Sequence, residues 1–404
     1  MRTSIYWPNN PEYKDNLYFV EVAPDELTKI IERIEPDHHF YIDRDAYLST
    51  IEIPNKEGGF YVKKNRYYFL VSQRLLYTKP VEPTMPFAGM WGGDGPFRDL
   101  PQEYLFNELT ELYSIMDAKK NGLYEHKIIF SRKGFDQEYG KHASPILPDG
   151  QLVSFPIPKK KDSFGIPYSS IYYTNDRSVD LLIRELGVDL KGVKECHHDP
   201  DLLKDARERR YLDEWKPVFG QSGAAEQHLR NENVKQGDLF LFFGSYKRTY
   251  LDHGALQFER DCERHILFGY LHIGEIVKID MEHNKNHPIY RWAHDHPHIQ
   301  NQYHPNSLYI ASEGFDGIPG AGVFNYHSDL VLTKDGCSKS LWELPWFFHP
   351  MYGTKISRHK DPSRFKIINE RLTFQTVGQG QDFVVDGPKE VWDWAVNLIR
   401  RNIS

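Results

Sequence analysis

Four short segments of the sequence combine side chains that can bind phosphate, move a proton or coordinate a metal ion. The first is Ser131-Arg-Lys-Gly-Phe-Asp136, directly after an apolar stretch. Arg132 offers a planar fork for phosphate or carboxylate and Lys133 a point charge, while Asp136 adds a carboxylate of its own. Because polar groups at the end of a strand lie at a sheet edge, where clefts form, the segment predicts an anion-binding site. A solvated turn with an Arg–Asp pair is the alternative.

The second segment, Cys196-His-His-Asp-Pro-Asp201, holds two imidazoles and two carboxylates. They could form a base–carboxylate pair or coordinate a divalent metal. Adjacent His197 and His198 cannot both face one point on a strand. The Asp-Pro-Asp turn could aim His198 and Asp201 together, with Asp199 beside them. Alternatively, this turn opens a helix that an aspartate caps.

The third segment, Phe219–Asn231, is a glycine- and serine-containing stretch that leads into a short helix. Free backbone N–H groups at such an entry could hold an anion. Gln221 and Gln227 are of the residue type that can form two hydrogen bonds with a base edge. His228 and Arg230 would lie on the same rigid backbone. An ordinary glycine-rich helix entry explains the same spacing.

The fourth segment is rich in histidine: six histidines lie between positions 283 and 304, namely His283, His287, His294, His296, His298 and His304. In an extended segment, His294, His296 and His298 would share one face and could bind a metal ion. Pro297 interrupts such a strand, and an exposed histidine-rich loop need not bind anything.

The elements that must position these segments predict an α+β protein in two parts. An N-terminal α+β extension covers 1–122, with amphipathic helices predicted from Asp25 and from about Pro101, and strand character in Tyr61–Ser72. From residue 126 to the end, strands predominate and helices are few. The strands are predicted at 126–131, 151–157, 239–243, 266–279 and 372–377, and the helices at 179–186, 223–230 and 389–401.

Two apolar stretches with internal glycines, Val234–Gly244 and Ile266–Ile279, predict a strongly curved antiparallel sheet. Small barrels of the PUA-like and EVE-like kind, which read bases, look similar at this point. Phe243, Tyr246 and Tyr270 could then stack on a base. An ordinary apolar core is the alternative for these aromatic residues.

Composition and charge limit the contacts that the protein can make and the compartment in which it can work. The 404 residues carry 50 basic and 57 acidic side chains, a net charge of −7, so any contact with nucleic acid must be local. Three scattered cysteines favour a reducing compartment. The first residues form no apolar signal core, and no apolar run approaches the ~20 residues of a membrane span. We therefore expect a soluble, cytoplasmic protein that makes no membrane contact.

Taken together, these blocks resemble the nucleotide-modification-associated domain of the third type, found in bacteria and phages. The matching blocks run in order from about His126 to the C-terminus and include Ile129–Asp136, Ser144–Gly150, Phe155–Pro158, His198–Leu202, Phe219–Ala225, His228–Asn231, Gly237–Gly244, Leu267–Gly269, Asn306–Ser312, Gly320–Phe324, Leu341–Pro345 and Gln379–Val384. The shorter Pro-His of the family pattern makes the extra histidines of 294–298 local additions. Residues 1–122 fall outside the resemblance and could dock a partner or regulate.

The resemblance implies enzymatic modification of nucleobases alongside other nucleic-acid-modifying enzymes, with no fixed reaction. It puts motif positions at Arg132, Lys133, Asp136, His198, Asp199, Gln221 and His228. As an enzyme, the protein would bind phosphate through Arg132 and Lys133, read the base with Gln221 and Gln227, and move a proton with His228 or His198. Asp136, Asp199 or Asp201 would orient that histidine.

Two alternatives to this enzyme remain open. The first is a reader, which would bind a modified base without chemistry. The second is a metal-dependent nuclease, which would hold Mg²⁺ or Mn²⁺ on His198, Asp199, Asp201 and Asp136. The cofactor is unknown, with a divalent metal as the candidate, and the partner is a nucleic acid or a nucleotide.

Overall fold

The chain forms two compact units, Met1–Leu123 with His349–Thr354 and Tyr124–Phe348 with Lys355–Ser404. The computed structural model describes residues 123–136, 140–208, 213–260, 263–280, 282, 286–350, 353–368, 371–376 and 382–403, together with six strands among the first 72 residues.

The first unit contains an antiparallel sheet in the order β1-β2-β6-β3 and a hairpin of β4 and β5. Its strands are β1 (Arg2–Tyr6), β2 (Leu17–Val22), β3 (Phe40–Ile42), β4 (Ile51–Pro54), β5 (Phe60–Lys63) and β6 (Tyr67–Ser72). The strand character predicted for Tyr61–Ser72 is confirmed. The two helices predicted from Asp25 and Pro101 lie outside the described residues.

The second unit is rich in strands. In chain order they are β7 (Ile128–Arg132), β8 (Ser144–Ile146), β9 (Ile157–Pro158), β10 (Ile166–Pro167), β11 (Glu195–His197), β12 (Val218–Ser222), β13 (Leu239–Asp252), β14 (Ala255–Phe258), β15 (Arg264–Lys278), β16 (Asn306–Ala311), β17 (Gly314–Phe315), β18 (Ile318–Pro319), β19 (Ala321–Val323), β20 (Leu341–Leu344), β21 (Lys355–Ile356), β22 (Phe365–Ile368), β23 (Arg371–Gln375) and β24 (Asp382–Asp386).

A large sheet forms the centre of this unit, in the order β12-β16-β15-β13-β7-β24-β21, with β8 and β14 also paired to β13 and β19 to β15. The pair β7–β13 is parallel, and β13–β15 is antiparallel with an irregularity between Phe242 and Phe243. Leu239–Phe243 is buried throughout, as expected of a strand covered on both faces. The described strands form no closed barrel, so the barrel-like detail is not confirmed.

Smaller sheets and a few helices complete the unit. The sheet β10-β11-β9 matters most, because it lies at the cleft described below; the others are β20-β23-β22 and β17-β18. The helices are α1 (Val179–Glu185), α2 (Gly223–Asn231), α3 (Ile289–Trp292), α4 (Pro297–Gln300) and α5 (Lys389–Asn402). The α+β class with few helices is confirmed. The longest helix in the described part of the chain has 14 residues, and none there could span a bilayer.

Aromatic side chains fill the core between the large sheet and its cover. Phe130 stacks on Phe383 at 5.2 Å between ring centroids, and Phe243 meets Trp342 edge-on at 4.9 Å. Phe243, Tyr246 and Tyr270 are at most 4% exposed. The apolar-core alternative therefore holds for all three, and their burial leaves them unable to stack on a base.

Candidate functional site

A cleft of about 150 Å³ opens between the small sheet and the edge of the large sheet in the second unit. It is lined by Arg132, Lys133, Gly134, Asp136, Ile157, Pro158, Lys160, Ser163, His197, Asp199, Gly220, Gln221, Ser222, His298 and Tyr303. Strand β7 and the residues directly after it carry the first four, β11 carries His197, β12 carries Gly220 to Ser222, and the single turn of α4 carries His298. Segments far apart in sequence therefore meet here.

The cationic wall of the cleft comes from the end of β7. The backbone of Lys133 still follows the sheet, since its N–H donates to the Phe243 carbonyl at 2.8 Å. The Arg132 guanidinium lies 3.7 Å from an Asp136 oxygen, with a fifth of its side chain exposed. The Arg–Asp pair of the alternative, a solvated turn, therefore forms, but both of its residues line the cleft. Such a fork fits a phosphate or a carboxylate.

Asp382 lies behind this wall and was not predicted. Its buried carboxylate accepts hydrogen bonds from Ser131 Oγ and Gln221 Nε2, both at 2.5 Å. Lys133 Nζ lies 3.7 Å from the same carboxylate and 4.4 Å above the centre of the Phe219 ring. Since the Gln221 carbonyl accepts from the Ser222 N–H at 3.0 Å, both ends of its amide are already engaged within the protein.

Asp199 is held at the free edge of β12. The main chain at Asp201 pairs with Val218 in both directions at 2.9 Å, and the Gly220 N–H then donates to Asp199 Oδ1 at 2.8 Å. The carboxylate thus takes the place of a strand partner, and one oxygen, Oδ2, remains for the cleft. The short 3₁₀ helix that follows, Lys204–Ala206, is preceded by Leu203 and has no side-chain cap, so the capping alternative is wrong.

His197, and not His198, faces the cleft. In β11, the Cys196 side chain is fully buried among apolar side chains that include Leu182 and Phe155. Because side chains alternate along a strand, His197 points to the other side, and His198 is buried away from the cleft lining. The apolar Cys196 beside it is the sequence signal that could have identified His197.

His298 reaches the cleft from a single helical turn. Pro297 begins α4, and the His296 ring caps it by accepting the His298 N–H at 3.2 Å. The segment is therefore helical at this point and not extended, and the prediction that His294, His296 and His298 share one face is wrong. His294 is exposed and contacts the Arg291 carbonyl.

Gly220 makes room for the His298 ring. A Cβ atom built at Gly220 would lie 2.3 Å from His298 Cδ2 and 2.4 Å from Cγ, closer than real atoms approach. The glycine that was predicted to help an anion approach therefore lets a ring approach instead. At the same time its N–H anchors Asp199, so one residue positions two members of the cluster.

His197, Asp199 and His298 place one donor atom each within 4.8 Å of the other two. We call these three residues the cleft cluster. The distances to Asp199 Oδ2 are 3.9 Å from His197 Nε2 and 3.8 Å from His298 Nε2, while His296 Nε2 lies 3.4 Å from Oδ1. Two imidazoles and a carboxylate oxygen at this spacing could hold a cation or share a proton.

Burial decides the charges in the cleft cluster. It lowers the pKa of His197 to about 4 and that of His298 to about 3, against the opposing pull of Asp199. Burial alone would raise the pKa of the Asp199 carboxyl, but the rings of His296, His298 and His197 hold it below its usual range. At neutral pH the cluster therefore consists of neutral imidazoles around an ionised carboxylate.

The residues predicted on the helix after β12 lie outside the cleft lining. Gln227 is exposed and bonds Asn231 at 2.9 Å, while Arg230 pairs with Glu226 at 2.6 Å. His228 Nε2 contacts Ser357 Oγ at 2.9 Å, and burial with nearby Arg358 lowers its pKa. Asp201 is buried beside β12. Of the described residues, His197, Tyr303, Lys160 and Asp382 join the site without having been predicted in it.

One family comparison covers the part of the chain that builds the cleft. A family model described as nucleotide modification associated domain 3 matches residues 127–386, more than half of the chain. No curated protein and no solved structure matches. The matched part contains every residue that lines the cleft, and Asp382 as well.

Proposed function

Because the chain belongs to the nucleotide modification associated domain 3 family, we propose that it is an enzyme that modifies a base of a nucleic acid strand in this cleft. The resemblance noted from the sequence is thereby confirmed, and it links the protein to nucleotide modification. The observation that carries the finer proposal is that a cationic wall and the cleft cluster line one cleft. The wall would bind phosphate, and the cluster would face the reacting base.

The size of the cleft favours a single flipped nucleotide. At about 150 Å³ it is smaller than the ~300–1,000 Å³ of pockets that enclose a whole ligand. It therefore suits one end of a larger molecule. Tyr303, half-buried and 5.2 Å from His298 between ring centres, offers a face for stacking. Stacking contributes about 1–3 kcal/mol per base, which offsets much of the few kcal/mol that flipping costs.

A lysine groove next to the cleft favours a polymer as substrate. This groove of about 940 Å³ is lined by Lys159, Lys160, Lys161, Arg184 and Lys194, with two acidic residues. Both acidic side chains are paired, Glu195 with Lys159 and Asp180 with Arg184. Lys160 lines both the groove and the cleft, so a phosphate backbone could run from one into the other. This local excess of positive charge resolves the difficulty that the net charge of −7 raised.

The proposal is tested by binding of a fluorescent single-stranded oligonucleotide at several salt concentrations. We expect Arg132→Ala and Lys160→Ala each to weaken binding about tenfold and to lower the salt dependence, because each removes a phosphate contact. Arg291→Ala is the matched control, since Arg291 is exposed, pairs with Glu214 and lines neither the cleft nor the groove.

Three outcomes separate the alternatives. Equal loss in all three variants would contradict a specific site. Binding of mononucleotides as tight as that of the oligonucleotide would contradict a polymer substrate. Tight binding of an already modified strand, with no change in its mass after incubation, would support a reader.

A further inference from the structure

We propose that the cleft cluster, His197, Asp199 and His298, holds one divalent transition-metal ion in the cleft. The site lies in the cleft of the proposed function and supplies that function with a cofactor class. Asp199 and His298 were among the metal ligands considered from the sequence, whereas His197 replaces His198, and neither Asp201 nor Asp136 belongs to the cluster. His294 and His296 take no part as ligands.

The first argument is the distance between the donor atoms. His197 Nε2 and His298 Nε2 lie 3.9 and 3.8 Å from Asp199 Oδ2, too far for a hydrogen bond and too close for water to lie between them. A histidine that merely neutralised the carboxylate would lie at about 2.7–2.9 Å. Ligands at 2.0–2.1 Å around a tetrahedral ion are about 3.3 Å apart, so the two distances to Asp199 Oδ2 need to shorten by only about half an ångström each.

The second argument is that the protein fixes the orientation of two of the three ligands, His298 and Asp199. Asn306 accepts from His298 Nδ1 at 2.8 Å and donates to the His298 carbonyl at 2.7 Å, which determines how its amide lies. The proton of His298 is therefore on Nδ1, and Nε2 presents a lone pair to the cluster. Metal-binding histidines typically have such a partner on the second nitrogen.

Asp199 is oriented in the same way. Its Oδ1 accepts the Gly220 N–H at 2.8 Å and faces His296 Nε2 at 3.4 Å. Because His296 Nδ1 accepts the His298 N–H, the proton of His296 is on Nε2, the nitrogen nearer to Oδ1. Oδ2 is thus left as the oxygen that faces the two imidazoles. Outer contacts of this kind are worth 10–100-fold in metal affinity.

The third argument is access. All three ligands line the cleft, so a bound ion would keep at least one position open toward it. Three protein ligands with an open position are typical of catalytic sites, whereas structural zinc sites are closed by four. Two imidazoles and one carboxylate suit Zn²⁺, Fe²⁺ or Co²⁺ rather than Mg²⁺ or Ca²⁺, which prefer oxygen ligands.

The test is titration of the full-length protein with Co²⁺ alone, with no nucleotide present, followed by visible absorption and by equilibrium dialysis. We expect one tight ion per chain with a visible band. His197→Ala, Asp199→Ala and His298→Ala should each weaken binding at least tenfold, whereas His294→Ala, in the same histidine-rich stretch, should leave it unchanged. Circular dichroism of each variant checks that it is folded.

Gly220→Ala is the sharper variant, because it keeps all three ligands and displaces the His298 ring. It should lose the band and bind Co²⁺ at least tenfold more weakly. The proposal is overturned if wild type shows no tight ion, or if Co²⁺ binding survives the three ligand variants but falls with His294→Ala. Because the titration contains no nucleotide, absence of Co²⁺ binding would not contradict the oligonucleotide-binding result. Absence of oligonucleotide binding would likewise not contradict the metal site.

Discussion

Two buried carboxylates at opposite ends of one short stretch of chain differ in how they are used. Glu226, 1% exposed, accepts from Arg230 and Ser307 at 2.6 Å and from Tyr309 at 2.8 Å, so both of its oxygens have protein donors. Asp199, with a side chain 4% exposed, has donors on one oxygen and presents the other to two imidazole nitrogens beyond hydrogen-bond distance.

The difference separates a carboxylate that the protein satisfies completely from one that we propose binds a ligand. Burial of a carboxylate is costly in either place, and at Glu226 the cost is offset by a complete set of donors. At Asp199 the protein orients one oxygen toward the cleft and leaves it incompletely satisfied. An incompletely satisfied, well-oriented atom in a cleft therefore indicates a ligand better than burial does.

The largest effect on stability is expected from removing Glu226, the carboxylate with a complete set of donors. Glu226→Ala leaves the Tyr309 hydroxyl, Ser307 and part of Arg230 without their acceptor, and should lower the free energy of unfolding by about 3 kcal/mol. Urea unfolding followed by tryptophan fluorescence measures this. Glu226→Gln, which retains an acceptor oxygen, should lose less. A loss below about 1 kcal/mol for the alanine variant would show that Glu226 is not structural.

A buried histidine extends the comparison to pH. His265 Nδ1 accepts the Trp342 indole N–H at 3.0 Å, and burial with nearby Lys339 lowers its pKa to about 3. Below pH 6.5, His265 becomes protonated in the unfolded chain but stays neutral in the folded protein. Stability should therefore fall with decreasing pH by up to about 1.4 kcal/mol per unit until about pH 3.

His265→Gln removes this titration, and urea unfolding at pH 7, 6 and 5 compares the two proteins. We expect the variant to be less stable at pH 7 but to have a flatter dependence on pH. Parallel curves for wild type and variant would mean that His265 is protonated as easily in the folded protein as in the unfolded chain.

A smaller effect on stability is expected at Asp199, the carboxylate with donors on only one oxygen. Asp199→Asn keeps an oxygen for the Gly220 N–H and should change the free energy of unfolding by no more than about 1 kcal/mol without metal. Its Co²⁺ binding should nevertheless be lost. A loss of stability as large as that of Glu226→Ala would remove the distinction between the two carboxylates.

The smallest effect is expected on the exposed face of α2. Gln227 contacts Asn231 and does not line the cleft, so Gln227→Ala should change stability by less than about 0.5 kcal/mol and leave oligonucleotide binding unchanged. Fluorescence anisotropy of the labelled strand measures the binding. Tenfold weaker binding would instead show that Gln227 on α2 contacts the base, as predicted from the sequence.

Local patterns in the sequence were sufficient for most of the elements predicted in the second unit. The predicted stretches at 266–279 and 372–377 correspond to β15 and β23, and the predicted helices at 179–186, 223–230 and 389–401 correspond to α1, α2 and α5. Their apolar periodicity and glycine boundaries are local properties. The stretch 151–157 instead forms two isolated bridges, Leu152 with nearby Ile146 and Gln151 with distant Asn325, and the start of β9.

The site depended on contacts that spacing cannot reveal. Arg132, Lys133 and Asp136 were found because they follow a strand directly. Asp382 joins Gln221 across 161 positions, which no spacing rule predicts. His298 was selected for the wrong reason, since one helical turn and not an extended segment brings it to the cleft. His197 was passed over for His198, although strand alternation from buried Cys196 selects it.

The central claim, that a base enters this cleft, is tested most directly by photocrosslinking. A single-stranded oligonucleotide with 5-iodouracil is irradiated with the full-length protein, and the crosslinked residues are identified by mass spectrometry. The account predicts crosslinks at Tyr303 or His197 that are reduced in Arg132→Ala and retained in Arg291→Ala. Crosslinks confined to the exposed face of α2 around Gln227, or no crosslink to any residue that lines the cleft, would contradict it.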